Sequence, residues 1–303
     1  MQRSDADGSD GLRRLFGEIG DLKRIRSAGR SGSVATRLFR RAWSELTGGT
    51  SAVEVARRVT AQALAAARLG DLDRSLLGTA GLPAAAIDDI LRRAVEEIVA
   101  PMEEPLRSAL IDAIAVSRPV PGGAEPRFVT VLENQPRAGV TCPGRPRIVL
   151  EPAENHAEHC LVVAVYGVLL SPRYGADPAV VFLAALAHHL HNAGMPDAGF
   201  TGEMLLGDRL DGVMRHFTDD ALASLDPELR RQVVEARACL VDAETPEGRA
   251  FHAADVVDRV LEIAQHLRSA SLTMEVVLGD MALVHDGPVK PFHDRVLAEM
   301  RLP

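Results

Sequence analysis

The sequence predicts an all-α protein, and three observations lead to this prediction. Alanine, leucine and arginine, which are strong helix formers, dominate a composition with only 4% aromatic residues. Over most of the chain apolar residues recur at steps of three and four, the spacing of one buried helix face. Strand signals are confined to two short segments rich in β-branched residues.

Size and charge limit the classes of function. The 303 residues carry a net charge of −8 and suffice for one large or two ordinary domains with a core. The acidic balance argues against general nucleic-acid binding. Residues 1–41 are an exception, with ten Lys/Arg against five Asp/Glu, and fit either a solvated arm or a segment for an anionic partner. Lysine occurs only at Lys23 and Lys290, which we interpret as a compositional bias towards arginine.

The cysteines and the apolar runs predict a cytoplasmic location. Cys142, Cys160 and Cys239 are widely spaced and form no CxxC pair, which is typical of a reducing compartment. Residues 1–10 are polar and acidic, unlike a signal peptide. The apolar run over 161–170 is shorter than the roughly 20 residues that span a bilayer.

The first third of the chain is expected to be a disordered tail (1–10) and a helical N-terminal region (11–120). Ser51 follows a glycine break and can cap a helix through its hydroxyl. No catalytic residue types occur here at useful spacing. We therefore expect a scaffold, or a dimerisation and regulatory element, which makes a homodimer one expected partner state. Helices are expected at about 52–68, 83–99 and 104–116.

A linker over 117–127 is followed by a predicted small β-hairpin. Its strands are Phe128–Leu132 and Arg147–Leu150, both rich in β-branched residues. The hairpin leads into the histidine-bearing segment, so its arginines lie either at the mouth of a site or in exposed turns. These arginines are Arg137, Arg145 and Arg147.

From Glu154 the chain is expected to be helical again. Asp226-Pro227 and Thr245-Pro246 are helix starts, each with a capping side chain followed by proline. The expected helices are 154–171, 178–193, 203–216, 227–241, 246–270 and 272–284.

The histidines are concentrated in one stretch. None precedes His156, and five lie within 154–197. His156 and His159 are three residues apart, so they share one side of an apolar, buried helix. A second apolar run, 180–187, ends in His188-His189-Leu190-His191. A single buried histidine is usually a hydrogen-bonded core residue, but two buried helices that end in histidines can converge on one cation such as Zn, Fe, Mn or Ni.

Three segments, in chain order, carry a family resemblance: Glu154-Asn155-His156-Ala157-Glu158-His159-Cys160, Leu183-Ala184-Ala185-Leu186-Ala187-His188-His189-Leu190 and Ala253-Ala254-Asp255-Val256-Val257-Asp258-Arg259. Together they resemble HD-domain phosphohydrolases, particularly the nucleoside 5′-monophosphatase branch. The resemblance covers about 150–270. It implies an HD-domain-like helical bundle over 121–303 and a divalent metal ion (Mn, Zn, Fe, Co or Ni). The implied metal ligands are His159, His188, His189 and Asp255.

The sequence departs from the family pattern at two positions. His189 stands where the family has an aspartate, and Asn192 stands where the nucleotidase branch has a glutamate. Because imidazole is uncharged, we expect a more positive centre with one metal, or a loss of hydrolysis. Asp197 and Glu203 are the nearest acids, and we assign them as catalytic candidates.

A polar stripe on the Asp255 helix has two interpretations. It is either an ordinary solvent face with ion pairs between turns, or its first part points His252 and Asp255 at the metal. His216 is a further candidate because diiron HD oxygenases use extra histidines, although alone it is more typical of a structural residue. The stripe comprises His252, Asp255, Arg259, Glu262 and His266.

Three functions follow. The first is a metal-dependent phosphohydrolase for a nucleotide or small phosphomonoester, with Asp197 or Glu203 as general acid or base. Its phosphate would be bound by guanidinium groups. The alternatives are an HD-type iron oxygenase and a non-catalytic HD-fold binding or regulatory protein. The candidate substrate-binding residues are Arg137, Arg145, Arg147 and His191.

Overall fold

The computed structural model describes residues 2–115, 122–271, 273, 275 and 290–299. Over these ranges the protein is mostly helical and has no strand or sheet, which confirms the all-α prediction. The helices are α1 (Gln2–Gly20), α2 (Val34–Thr47), α3 (Ala52–Leu69), α4 (Arg74–Thr79), α5 (Ala84–Ile98), α6 (Leu106–Ala115), α7 (Arg127–Asn134), α8 (His156–Tyr174), α9 (Pro178–Ala187), α10 (Gly199–Leu206), α11 (Leu210–Leu222), α12 (Pro227–Arg237), α13 (Pro246–Ser271) and α14 (Lys290–Glu299).

The chain forms two compact units, Met1–Arg259 and Val260–Pro303. Within the first, α2 and α3 pack against α8 and α9, so the N-terminal helices share a core with the histidine-bearing ones. In the second, the end of α13 and helix α14 each carry an ion pair, Glu262 with His266 and Lys290 with Asp294. Helix α1 includes residues 2–10, for which the sequence predicts a disordered tail. Part of the predicted linker and most of the helix predicted over 272–284 lie outside the described residues.

Helix α8 is the centre of the first unit. Every residue from His156 to Ser171 is buried, and α9, α2, α3 and α7 pack around it. Gly167 allows the closest approach, because a Cβ there would lie 2.5 Å from Val181 Cγ1 on α9. Despite this apolar helix, the described part of the chain has no helix long and apolar enough to cross a membrane.

Aromatic side chains attach the flanking helices to this core. The Tyr166 hydroxyl on α8 donates to the backbone oxygen of Phe16 on α1, and the two rings lie 4.6 Å apart. Trp43 on α2 contacts Phe128 on α7 edge to face, with 4.8 Å between ring centroids. These four aromatic residues therefore lie where helices meet.

The predicted β-hairpin is wrong. Residues 127–134 form helix α7 instead of a first strand, because Phe128, Val129 and Leu132 share a buried face and this packing outweighs their strand propensity. In the loop that follows, Val140 and Ile148 pair through two backbone hydrogen bonds of 2.9 and 3.0 Å. Neither this bridge nor the one between Pro136 and Asn155 extends into a strand within the described chain.

The close crossing of α8 and α9 predicts a specific sensitivity at Gly167. We expect Gly167→Ala to lower the free energy of unfolding by about 1–3 kcal/mol, because the new methyl group overpacks against Val181. Gly212→Ala on α11 is the matched control, since nothing lies within 4 Å of the position that its new methyl group would take. It should be neutral or stabilise by up to about 1 kcal/mol. Urea unfolding of both variants tests this, and equal effects would contradict it.

Candidate metal centre

The first turn of α8 fixes its two histidines. Asn155 caps the helix by accepting from the Glu158 N–H at 2.9 Å, and Glu158 accepts from the Asn155 N–H at 3.0 Å. The buried Glu158 carboxylate also pairs with Arg26 at 3.3 Å. This reciprocal cap sets the start of the helix, so His156 and His159 enter the core at defined positions.

The end of α9 presents the second pair. The helix ends at Ala187, earlier than the sequence predicts, and His188 and His189 follow before a 3-10 turn over Leu190–Ala193. His188 Nδ1 lies 2.6 Å from the Ala185 carbonyl oxygen and His189 Nδ1 lies 2.9 Å from Asn192 Oδ1. The Asn192 amide nitrogen donates to Met195 O at 3.1 Å, which leaves its oxygen to accept from His189.

The two helix ends bring the imidazoles together. Ring centroids of His188 and His189 lie 4.2 Å apart, and His159 lies 5.0 Å from His188 and 5.2 Å from His189. His156 adds a ring 4.7 Å from His189, and His191 one at 5.4 Å from His189. We call these five residues the histidine cluster.

Helix α13 contributes two carboxylates to His159. Asp258 Oδ2 lies 2.7 Å from Nδ1, and Asp255 Oδ1 lies 3.2 Å from Nε2. Burial raises the pKa of Asp255, but the contact with His159 and nearby positive charge outweigh this and hold that pKa below its usual range. In Asp258 burial also raises the pKa, and the ammonium of Lys23 together with His159 lowers it to about 2. Both carboxylates are therefore ionised near neutral pH.

Hydrogen bonding defines which nitrogen each imidazole offers. In His188 and His189 the Nδ1 atom faces an oxygen acceptor and carries the proton, so the Nε2 lone pair is free, and in His159 Nδ1–H donates to the Asp258 carboxylate. Nε2 of His159 and of His188 is buried and has no hydrogen-bond partner among the described residues. In His159, Nε2 faces Asp255 Oδ1 at 3.2 Å, so a positive charge, either a proton on Nε2 or a metal ion, lies between these two atoms.

These residues could hold a metal ion. His159, His188 and His189 each offer one ligand atom within 4.8 Å of the others. An imidazole whose second nitrogen donates to a carboxylate, carbonyl or amide oxygen is the usual form of a ligating histidine. Burial lowers the pKa of His156 to about 2, of His188 to about 3 and of His191 to about 4. These three rings are therefore neutral, the state that metal binding requires.

A second group of charges lies on the Nδ1 side of His159. Lys23, from the turn after α1, pairs with Glu154 and with Asp258, where Nζ lies 2.6 Å from Oδ1. Arg137 lies 3.4 Å from Glu154 Oε2. Burial lowers the pKa of Arg137, but the surrounding carboxylates outweigh this and raise it, so the guanidinium stays charged.

The catalytic candidates lie at different places. Asp197 Oδ2 lies 3.6 Å from His156 Nε2 and accepts from the Ala138 N–H at 2.8 Å. Glu203 is half-buried on α10, and no hydrogen bond or ion pair joins its side chain to another described residue. Asp197 therefore borders the histidine cluster, whereas no such contact connects Glu203 to it within the described chain.

The substrate-binding candidates also fall into two groups, one near the histidine cluster and one at the surface. Arg137 and the buried His191 lie with the cluster or its carboxylates. Arg145 is exposed, and Arg147 is exposed with one 3.5 Å hydrogen bond to Ala198 O. Arg145 and Arg147 therefore lie in exposed turns, which was the second of the two interpretations that the sequence allowed.

The additional histidines do not extend the cluster. His216 is exposed on α11 and stacks edge to face on Phe217. His252 is half-buried on α13 beside Phe251, with a ring distance of 5.0 Å. Among the described residues, no ring contact or ion pair connects either imidazole to the cluster.

The arginines of the basic N-terminal run mostly pair with acids. Arg30 contacts Asp71 and Asp73, and Arg37 also pairs with Asp71. Arg30 and Arg37 help to line a cavity of about 550 Å³, which no residue of the histidine cluster lines. These arginines of the run therefore attach it to neighbouring helices through ion pairs.

Sequence reasoning missed three residues of the site. Asp258 lies one turn after Asp255 on the same helix, and this spacing was the available signal. Asn192 orients His189, although the sequence offered it only as a departure from a family pattern. Lys23 is buried beside Asp258, so its interpretation as compositional bias was wrong for this position; the rarity of lysine was the signal.

The chain was compared with protein-family models, with curated proteins and with solved structures, and none of them matches. The chemistry of the site is therefore argued from its own geometry. Imidazoles, ionised carboxylates and one guanidinium meet in the protein interior, and such a set can bind a divalent cation and an anionic group beside it.

Burial of neutral imidazoles predicts acid sensitivity of the metal-free protein. As pH falls below about 6.5 the unfolded chain binds protons that folded His156, with a pKa of about 2, does not. Stability is therefore lost with falling pH, and His156 alone contributes a loss of about 2 kcal/mol between pH 7 and 5. Urea unfolding of chelated protein at both pH values measures this.

Two variants test whether this pH dependence of stability comes from the histidine cluster or from the other histidines. His156→Leu should flatten the pH dependence, whereas His216→Ala, at an exposed ring, should leave it unchanged. A pH dependence that is the same in wild type and His156→Leu would contradict the assignment.

Proposed function

We propose that the protein is a divergent HD-type, metal-dependent phosphohydrolase acting on a nucleotide or another small phosphomonoester. One observation carries the proposal. The family resemblance implies that His159, His188 and Asp255, from three distant segments of the chain, bind one metal, and these residues lie close together. The HD-like arrangement of the helical bundle is part of the same proposal.

The metal would be held by Nε2 of His159, His188 and His189 and by Asp255. Each imidazole is oriented through its Nδ1 atom, by Asp258, Ala185 and Asn192 respectively. Such outer contacts fix the tautomer and raise the basicity of the ligand. A set rich in imidazole suits Mn, Zn, Fe, Co or Ni.

When bound, a divalent metal polarises a phosphate oxygen and supplies a water of lowered pKa. The chain provides the other functions. Asp197, next to His156, is placed to accept or return a proton, and it is preferred over Glu203 because of that contact. Arg137 keeps its charge beside Glu154 and can bind phosphate through its guanidinium fork.

A second candidate is an iron-dependent oxygenase of the same fold. It is favoured by the five imidazoles of the histidine cluster, since His156 and His191 exceed what the proposed hydrolytic centre needs. Such an enzyme would purify with iron and show an oxygen-dependent optical change. A colourless protein with zinc or manganese would argue against it.

Phosphate release from a nucleotide panel tests the hydrolase. Purified protein should release inorganic phosphate from at least one nucleoside monophosphate only with a divalent metal, and His188→Ala should reduce the rate at least about 100-fold because a metal ligand is lost. His216→Ala is the matched control and should retain the full rate, since that ring is exposed and stacks on Phe217.

Two outcomes would contradict the proposal. Full activity after exhaustive chelation would exclude the metal-dependent mechanism. Metal content well below stoichiometry, with an unchanged melting temperature in His159→Ala/His188→Ala, would instead identify a non-catalytic HD-fold binding or regulatory protein.

A further inference from the structure

We propose that the protein supplies a second cation of this site from its own chain: the ammonium group of Lys23 occupies a carboxylate site that would otherwise take a second divalent ion. The centre then binds one metal. This inference rests on the proposed function, because it assumes that the Nε2 side of His159 holds a metal.

The second cation site is built from three residues. Glu154, His159 and Asp258 each offer a ligand atom within 4.8 Å of the other two, an arrangement that could hold a metal ion. All three face one another on the Nδ1 side of His159, where Glu154 Oε1 lies 3.9 Å and Asp258 Oδ2 lies 2.7 Å from that atom.

Lys23 already lies within this set. Its side chain is only 3% exposed, its Nζ lies 2.6 Å from Asp258 Oδ1, and it pairs with Glu154 as well. Burying two carboxylates together without a positive charge would be strongly unfavourable. The lysine therefore gives this side the charge that a metal ion would give it.

Charge balance favours lysine over an added divalent ion. The carboxylates of Glu154 and Asp258 face the ammonium of Lys23 and the guanidinium of Arg137, which lies 3.4 Å from Glu154. With two positive groups already facing this carboxylate pair, a divalent ion there would be repelled by both and would have less negative charge to neutralise.

The tautomer of His159 follows from this arrangement. Because Lys23 shares Asp258 with the imidazole, Asp258 accepts from Nδ1–H through Oδ2 while Oδ1 contacts the ammonium. A proton held at Nδ1 leaves only Nε2 to ligate a metal, on the side of His188 and Asp255. Lys23 is thus a positioning residue, and it acts on the metal through Asp258 and His159.

Cobalt stoichiometry tests the inference without an activity readout. Purified, chelated proteins are titrated with Co²⁺, and bound metal is measured by elemental analysis and by visible absorption. Wild type should bind about one Co²⁺ per chain, and Lys23→Ala should bind about two, because a second Co²⁺ can then replace the ammonium on the carboxylate oxygens of Glu154 and Asp258 while His159 keeps its Nδ1 proton.

Three further variants serve as controls. Lys23→Arg keeps the positive charge and should bind the same amount as wild type. Lys290→Ala removes the only other lysine, which pairs with Asp294 in the second unit, and should also match wild type. Lys23→Ala/Glu154→Gln breaks the carboxylate pair and should return the stoichiometry to the wild-type value.

The outcomes separate this inference from the proposed function. No Co²⁺ bound by wild type would remove the proposed metal centre itself. Equal stoichiometry in wild type and a folded Lys23→Ala protein, or two Co²⁺ in wild type, would overturn only the role of Lys23. If Lys23→Ala is unfolded without metal, recovery of its helical circular dichroism with Co²⁺ supports the inference. Failure to recover with Co²⁺, when Lys23→Ala/Glu154→Gln folds, overturns it.

Discussion

The contact of His159 with two aspartates is the interaction on which the site depends. His159 lies at the start of α8, the most buried helix, and meets Asp258 through Nδ1 and Asp255 near Nε2. This contact joins α8 to α13 and holds the imidazole between two negatively charged carboxylates. Such a group is stable in a protein interior only if cations compensate those charges, so the site must contain or bind positive charge.

The structure meets this requirement on one side only. On the Nδ1 side Lys23 and Arg137 neutralise Asp258 and Glu154. On the Nε2 side Asp255 has Arg259 at 3.4 Å, an arginine that is largely exposed, and lies 3.2 Å from Nε2 of His159. The neighbouring Nε2 of His188 is also without a hydrogen-bond partner within the described chain. A divalent metal on that side would satisfy these atoms together, which is the physical basis of the proposed centre.

Much of the fold could be predicted from the sequence because its signals are local. The caps at Ser51 and Asp226, with Pro227 after the latter, mark real helix starts, and the apolar runs of α8 and α9 are buried as expected. Helix α7 was missed because its β-branched residues favour a strand locally, while packing of Phe128 on Trp43 decides otherwise. Tertiary packing of this kind leaves no mark in a short window.

The residues of the site could also be predicted only in part, because some of them have local sequence signals and others do not. The histidines on adjacent helix ends could be predicted to meet, since α8 and α9 are consecutive and both apolar. Lys23 and Asp258 are 235 residues apart, and nothing local indicates that they pair. In the sequence Asn192 was notable only because it stands where the nucleotidase branch has a glutamate. Its function of orienting His189 depends on a side-chain rotamer that Met195 fixes.

Elemental analysis of protein purified without added metal tests the central claim most directly. We predict about one transition-metal ion per chain in wild type, and its loss in His188→Ala/His189→Ala, because three imidazoles and one carboxylate form the proposed ligand set. A wild-type protein with no stoichiometric metal, even after incubation with Mn²⁺, Co²⁺ or Zn²⁺, would contradict the account.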